Sequence, residues 1–276
     1  MRLHGLVKES NTTGIEDSSK SISYAELGYK TTQLAKIFGY KLGVGPIIGN
    51  GIDWHLSALA QLKAGRIVVS GKLKDEIPSY NDGAWIVFTS GSTDTPKPVV
   101  FSHRALIQLA KDEVAIKRLL PCDRIAHLRY QLGGVRATLS AFAASATLVC
   151  YNKETDGDLA QWVNRKKITV LELDGTMYRH LMVAGVSFPT VRIVDIGGEQ
   201  ILSGDFDLYK ERFRDDCLFI NRLALTETSV VAELFLHKRN HVREGRLPVG
   251  LPRRNVYTRM EDGELLVSSP YLAIEY

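Results

Sequence analysis

The chain has 276 residues, enough for one large domain or two small ones, and its 45% apolar and 24% charged content is that of an ordinary folded protein. Net charge is +4 with acids and bases interspersed, and no basic stripe with interleaved aromatics occurs, which argues against nucleic-acid binding. The three cysteines, Cys122, Cys150 and Cys217, lie far apart and form neither a metal spacing nor a disulfide framework, so reduced thiols in a cytoplasmic protein are expected.

From the N-terminus, Met1-Arg2-Leu3-His4-Gly5 carries no apolar leader, and no run of about 18 apolar residues follows anywhere, so neither a secretory signal nor a membrane span is expected. Residues 9–21 are rich in Ser, Thr and Asn and read as a flexible loop. Ser23 with Glu26 three residues on is a capping box. It opens a helix with Leu27, Leu34, Ile37 and Phe38 at helical spacing, closed by Gly43 and Gly45. Residues 44–48 read as a strand, residues 53–63 as a helix burying Leu56, Leu59, Ala60 and Leu62, and residues 66–70 as the next strand.

Two apolar strands, 84–88 and 99–101, then flank Thr89-Ser90-Gly91-Ser92-Thr93-Asp94-Thr95-Pro96-Lys97-Pro98. Gly91 allows close backbone approach. Thr89, Ser90, Ser92 and Thr93 offer hydroxyls beside backbone N–H groups able to form an anion nest, and Lys97 adds a point charge for a phosphate. The run is not a Walker loop, since G-x-x-x-x-G-K-[ST] is absent.

Helices at 104–119, 133–145, 157–166, 176–184 and 205–213 alternate with strands at 123–128, 146–151, 168–173, 191–196 and 218–223. Such alternation predicts largely parallel sheets with helices on both faces. Short strands at 233–237, 256–260 and 264–268 among Gly and Pro predict a smaller antiparallel β region at the C-terminal end. The expected division is a layered α/β core over 1–230 and a β-rich subdomain over 231–276.

Taken together, the hydroxyl-rich run and the Ser102-His103 pair after it resemble the phosphate-binding signature T-S-G-S-T-G-x-P-K-G of the adenylate-forming superfamily, which includes acyl-CoA ligases, nonribosomal peptide adenylation domains and luciferases. Asp94 and Pro98 stand where that signature has glycine. Asn50, Trp54, Ala58, Ala64 and Gly65 match the family's opening, Gly197-Gly198-Glu199 its adenine-pocket turn, and Asn221 with Leu223-Ala224-Leu225-Thr226-Glu227 its Y-G-x-T-E motif. Leu223 replaces the aromatic and Ala224 the glycine of that motif. Val249-Gly250-Leu251-Pro252 and Gly263-Glu264-Leu265 match two further turns.

The resemblance implies a shortened AMP-binding large domain that activates a carboxylic acid with ATP and Mg²⁺ as an acyl-adenylate, releasing pyrophosphate. By that resemblance Lys97, Thr226 and Glu227 are catalytic, with Glu227 the Mg²⁺ ligand, while Thr89, Ser90, Gly91, Ser92, Thr93, Gly197, Gly198, Glu199, Leu223 and Ala224 hold the nucleotide. His103, Tyr130, Gln131 and Gly133 are the substrate-side candidates. The acyl acceptor would be coenzyme A or a carrier protein. The family's T-G-D and its small C-terminal domain are not found before Tyr276, so either a separate protein is expected to supply that domain or the chain is a truncated piece of a longer one. The alternative is a nucleotide- or acyl-ligand-binding protein without ligase activity, acting as a partner or scaffold. His103, His127 and His180 have no acidic or cysteine neighbour at ligand spacing in sequence, so zinc is not expected, and the absence of G-x-S-x-G disfavours a hydrolase triad.

Overall fold

A computed structural model describes residues 2–39, 44–47, 51–70, 82–89, 96–128 and 132–274. In chain order the N-terminal elements are β1 (Thr13–Glu16), β2 (Ser21–Ser23), α1 (Tyr24–Phe38), β3 (Val44–Pro46), α2 (Gly51–Lys63), β4 (Ile67–Val69), β5 (Gly83–Phe88) and β6 (Pro98–Ser102). The middle of the chain holds α3 (His103–Lys117), β7 (Arg124–His127), α4 (Leu132–Ala144), β8 (Thr147–Cys150), α5 (Lys153–Asp156), α6 (Leu159–Arg165), β9 (Val170–Leu173), α7 (Gly175–Val183), β10 (Ile193–Gly197) and α8 (Ser203–Arg212). Then come β11 (Leu218–Leu225), β12 (Ser229–Leu236), β13 (Leu251–Pro252), β14 (Tyr257–Glu261) and β15 (Glu264–Ser268).

The starts of helices follow their caps. Ser23 Oγ accepts from the Glu26 N–H at 3.2 Å, and Glu26 Oε2 accepts from the Ser23 N–H at 2.9 Å, so the capping box closes α1. Ser102 caps α3 through the Ala105 N–H at 3.1 Å, and Asp174 caps α7 through the Met177 N–H at 2.6 Å.

A nine-stranded sheet runs β13-β12-β11-β10-β9-β7-β8-β1-β2, and its centre, β11 to β8, is parallel. A four-stranded sheet, β3-β4-β5-β6, stands beside it, and β14 and β15 form an antiparallel pair. The central strands are apolar on both faces, as strands covered on both sides must be. Ile125, Leu148, Val170, Ile193 and Ile220 face one core with α2, α3 and α4. Ala126, Val149, Leu171, Val194 and Phe219 face a second core built on Trp162, Tyr178, Phe206 and Tyr209.

Two expectations change. Residues 9–21 are not a featureless loop, because β1 adds in parallel to β8 and pairs antiparallel with β2, burying Ile15 fully. Two isolated apolar residues, Ile15 and Ile22, were too sparse a signal among the hydroxyls. The strand foreseen at 233–237 begins earlier, at Ser229, and pairs along β11 within the large sheet.

Candidate active site

The chain visits β7, then β8 on one side of it, then β9 on the other. That reversal opens a crevice beyond the strands' carboxyl ends, the usual place for a ligand in an open α/β sheet. A cleft of ≈ 180 Å³ occupies it. Its walls are Ala126 and Leu128 at the end of β7, Leu132, Gly133, Gly134, Arg136 and Ala137 on α4, and Glu172, Leu173 and Asp174 at the end of β9. Gly197 and Gly198 after β10, and Arg222, Ala224, Leu225 and Thr226 from β11, complete it. Five sequence candidates thus meet in one cavity: Gly133, Gly197, Gly198, Ala224 and Thr226.

The paired glycines are demanded by geometry. A Cβ on Gly197 would lie 2.4 Å from Arg222 Cγ, and Gly198 has φ +84°, a conformation side chains resist. Backbone and cleft therefore meet without an intervening side chain.

The cleft floor is charged. Arg136 donates to Glu172 Oε2 at 2.9 Å. Beneath it, Lys117 pairs with Glu113 and Asp195, each at 2.7 Å, and with Glu172. Arg222 pairs with Asp195, and Arg253 bridges Glu113 and Glu233, each at 2.5 Å. Burial alone would raise the Glu172 carboxyl, but Lys117, Arg136 and Arg222 outweigh it and hold it at about 2. Burial likewise opposes the Glu113 charge, and Lys117, then Arg253, hold that carboxyl well below its ordinary range. Burial, with Arg136 adding to it, brings Arg222 down to about 10.

Other candidates sit elsewhere. Thr89 and Lys97 clamp the base of the β5–β6 connection: the Thr89 N–H donates to the Lys97 carbonyl at 3.0 Å, and the Lys97 N–H donates to Thr89 Oγ1 at 3.1 Å. Ser90, Gly91, Ser92 and Thr93, like Asp94, Tyr130 and Gln131, lie outside the described residues. Glu227 follows Thr226 in the β11–β12 turn. Its carbonyl accepts from the Ala273 N–H at 2.8 Å, while the Ile274 N–H donates to Val100 of β6, also at 2.8 Å. The segment 273–274 thus ties the Glu227 turn to the strand that begins one residue after Lys97. Among the described residues the Glu227 carboxylate has no ion pair or hydrogen bond, which leaves a hard oxygen ligand of the kind Mg²⁺ takes.

Three candidates do not reach the cleft. Glu199 accepts from Thr176 Oγ1 at 2.8 Å and faces Arg179 at 3.7 Å, where it braces the start of α7. Leu223 is half-buried against the apolar core, at a register shift in the β11–β12 pairing, and is not among the cleft walls. His103 Nδ1 accepts from the Leu3 N–H at 3.3 Å, and burial, with Arg2 next in size, pushes its ring down to about 4.

Sequence reading missed Arg136, Glu172, Asp174 and Arg222. The signal was available for Glu172 and Arg222: each is a charge inside an apolar strand expected to be covered on both faces, and such a charge must find a partner.

Residues 69–276 match the family model of AMP-binding enzymes. Isonitrile lipopeptide synthase of Streptomyces coeruleorubidus is 30% identical over 207 residues, which are 71% of this chain and 14% of that protein. The chain therefore spans only a small part of the curated relatives it matches. The N-terminal subdomain of Klebsiella oxytoca NpsA in complex with anthranilyl-AMSN superposes with a TM-score of 0.78 at 17% identity, covering 96% of this chain and 84% of that one. The AMPPNP-bound form of the nonribosomal peptide synthetase FmoA3 gives 0.82 at 17% identity, covering 99% of this chain and 38% of that one.

Proposed function

The chain belongs to the family of AMP-binding enzymes, and from that premise we propose that its cleft binds ATP and a small carboxylic acid and joins them as an acyl-adenylate. The observation that carries this reading is the meeting of Gly133, Gly197, Gly198, Ala224 and Thr226 at the carboxyl ends of parallel strands. The carboxylate oxygen attacks the α-phosphorus, the α–β anhydride bond breaks, and pyrophosphate leaves with the electron pair.

No covalent intermediate on the protein is needed, so this chain supplies position and charge. Lys97 and the hydroxyls of residues 89–93 hold the leaving phosphates, and Thr226 holds an oxygen of the reacting one. Mg²⁺, when bound, neutralises phosphate charge, and Glu227 would hold it. Gly197 and Gly198 let the nucleoside lie on bare backbone. The floor pair Arg136–Glu172 supports an acid that is small and carries a polar group, because an alkyl chain there would strip water from ions without replacing it. Transfer of the acyl group to a carrier-protein thiol or coenzyme A, with a separate C-terminal domain, completes the proposed cycle.

A second reading is a nucleotide- or acyl-ligand-binding protein without ligase chemistry. Leu223, an aliphatic residue half-buried against the core and not among the cleft walls, favours it. Pyrophosphate exchange dependent on a panel of small polar acids separates the two. Exchange that Glu227→Gln and Lys97→Ala reduce at least tenfold supports the enzyme. Silence across the panel, with calorimetric binding of AMP or of an acyl-sulfamoyl adenosine, supports the binder.

A further inference from the structure

We propose that His55, His127 and Cys150 form a binding site for one soft, thiophilic d¹⁰ cation, copper(I). The site is independent of the adenylate chemistry and stands on the other side of β7 from β9. Parallel pairing sets His127 of β7 directly opposite Cys150 of β8. Both lie in the row that α2 covers, and α2 brings His55 down onto them. One ligand atom from each residue falls within 4.8 Å of the other two. Cys150 Sγ and His55 Nε2 are 3.5 Å apart. A trigonal site with metal–sulfur and metal–nitrogen bonds of roughly 2.3 and 2.0 Å would put those two atoms about 3.7 Å apart.

The rings are already held. His55 and His127 meet edge to face with centroids 4.7 Å apart, and Trp54 packs against them at 4.8 and 5.6 Å. His55 and Cys150 are 1% and 2% exposed, yet His55 Nδ1 has no hydrogen-bond partner. A core that needed only volume here would be more stable with hydrocarbon, because a buried polar atom left unpaired costs roughly 1–3 kcal/mol. The donor set is instead the Nε2 edge of the His55 ring, which meets Cys150 Sγ at 3.5 Å beside His127.

Charge selects the ion. Both rings are buried, and it is the neutral imidazole that ligates. Copper(I) replaces the Cys150 thiol proton, which leaves to solvent, and thiolate plus monovalent cation sum to zero. Zinc(II) would leave a net positive charge among Trp54, Trp85 and Phe142, at a desolvation cost of several kcal/mol. A separate cavity of ≈ 110 Å³ reaches Cys150 and is lined also by Asp17, Lys20 and Asp53, with Lys20 paired to Asp53 at 3.6 Å, so the approach to the site is polar.

The test uses the full chain in a Cys122→Ser background, because Cys122 is exposed and outside the site. Anaerobic copper(I) is titrated in competition with bicinchoninate, and X-ray absorption reads the donors. One equivalent bound through one sulfur and two nitrogens, and weakened at least tenfold by Cys150→Ser and by His55→Phe with the urea midpoint of each variant recorded, is the expected result. Should Cys150→Ser fail to fold, His127→Phe takes its place. Affinity unchanged by the variants, less than half an equivalent bound, or zinc(II) that excess copper(I) does not displace would overturn the proposal.

Discussion

Two buried polar groups share one face of the large sheet, and they are built on opposite principles. Cys150, His127, Glu172 and Asp195 form one row across four neighbouring strands: His127 pairs with Cys150, Asp195 with Glu172, and Ile125 with Val170 two residues before His127 and Glu172. At the β9–β10 end the row is ionic. Glu113, Glu172 and Asp195 offer oxygens within 4.8 Å of one another, and the Lys117 ammonium is paired with all three. Lys117, Arg136, Arg222 and Arg253 balance Glu113, Glu172, Asp195 and Glu233. At the β7–β8 end the row is neutral, soft and uncharged. The first group already holds the chain's own cation, Lys117, so it is a structural tie under the cleft. The second offers two imidazoles and a thiol.

The sharpest way to break this comparison is to remove one member of the ionic group. Glu113 is fully buried and holds Lys117 at 2.7 Å and Arg253 at 2.5 Å. Glu113→Gln leaves two buried cations short of a partner, and should cost about 3–5 kcal/mol in urea unfolding. A loss under about 1 kcal/mol would mean that water or rearranged carboxylates serve equally well, and that the group is not a tie.

Acid attacks the same group in a predictable window. The Glu172 carboxyl is held at about 2 in the fold, against 4.5 for the free group. A depressed carboxyl contributes stability that is complete above the free value and is lost as pH falls through the folded one. Stability should therefore drop by on the order of 3 kcal/mol for this residue between about pH 4.5 and pH 2. Urea midpoints measured over that range check it, and Glu172→Gln should flatten the slope.

Gly197 links the ionic tie to the cleft. A Cβ added there would lie 2.4 Å from Arg222 Cγ. Gly197→Ala should cost about 1–3 kcal/mol by overpacking and weaken an acyl-sulfamoyl adenosine in calorimetry. An unchanged midpoint with unchanged affinity would show that Arg222 moves freely.

These groups also mark where sequence ceases to be legible. The β/α alternation could be read because each strand carries its own apolar run and each helix its own spacing, as in residues 146–151 and α4. The phosphate-loop resemblance was read from contiguous residues. The Lys117 tie was not, because Glu113, Glu172 and Asp195 come from α3, β9 and β10, and local pattern holds no information on which of them meet. His55, His127 and Cys150 failed for the same reason. The spacing rules that find metal sites describe ligands close in sequence, whereas His127 and Cys150 are neighbours only through strand register, and α2 arrives from 72 positions earlier than His127.

The smallest effect is expected at the soft end of the row. His55→Phe keeps the ring's volume among Trp54, His127 and Phe142 and removes a nitrogen that has no partner. Its loss of the 3.5 Å contact to Cys150 is offset by that gain, so the urea midpoint should shift by no more than about 1 kcal/mol in either direction. The contrast with Glu113→Gln is the point of the measurement. A destabilisation of several kcal/mol would place His55 among the structural ties, with its hydrogen bond to Cys150 as the tie. A near-silent substitution leaves copper(I) as the variable: added at a hundredfold excess over its dissociation constant, it should stabilise the parent by about 2.7 kcal/mol and leave His55→Phe unmoved.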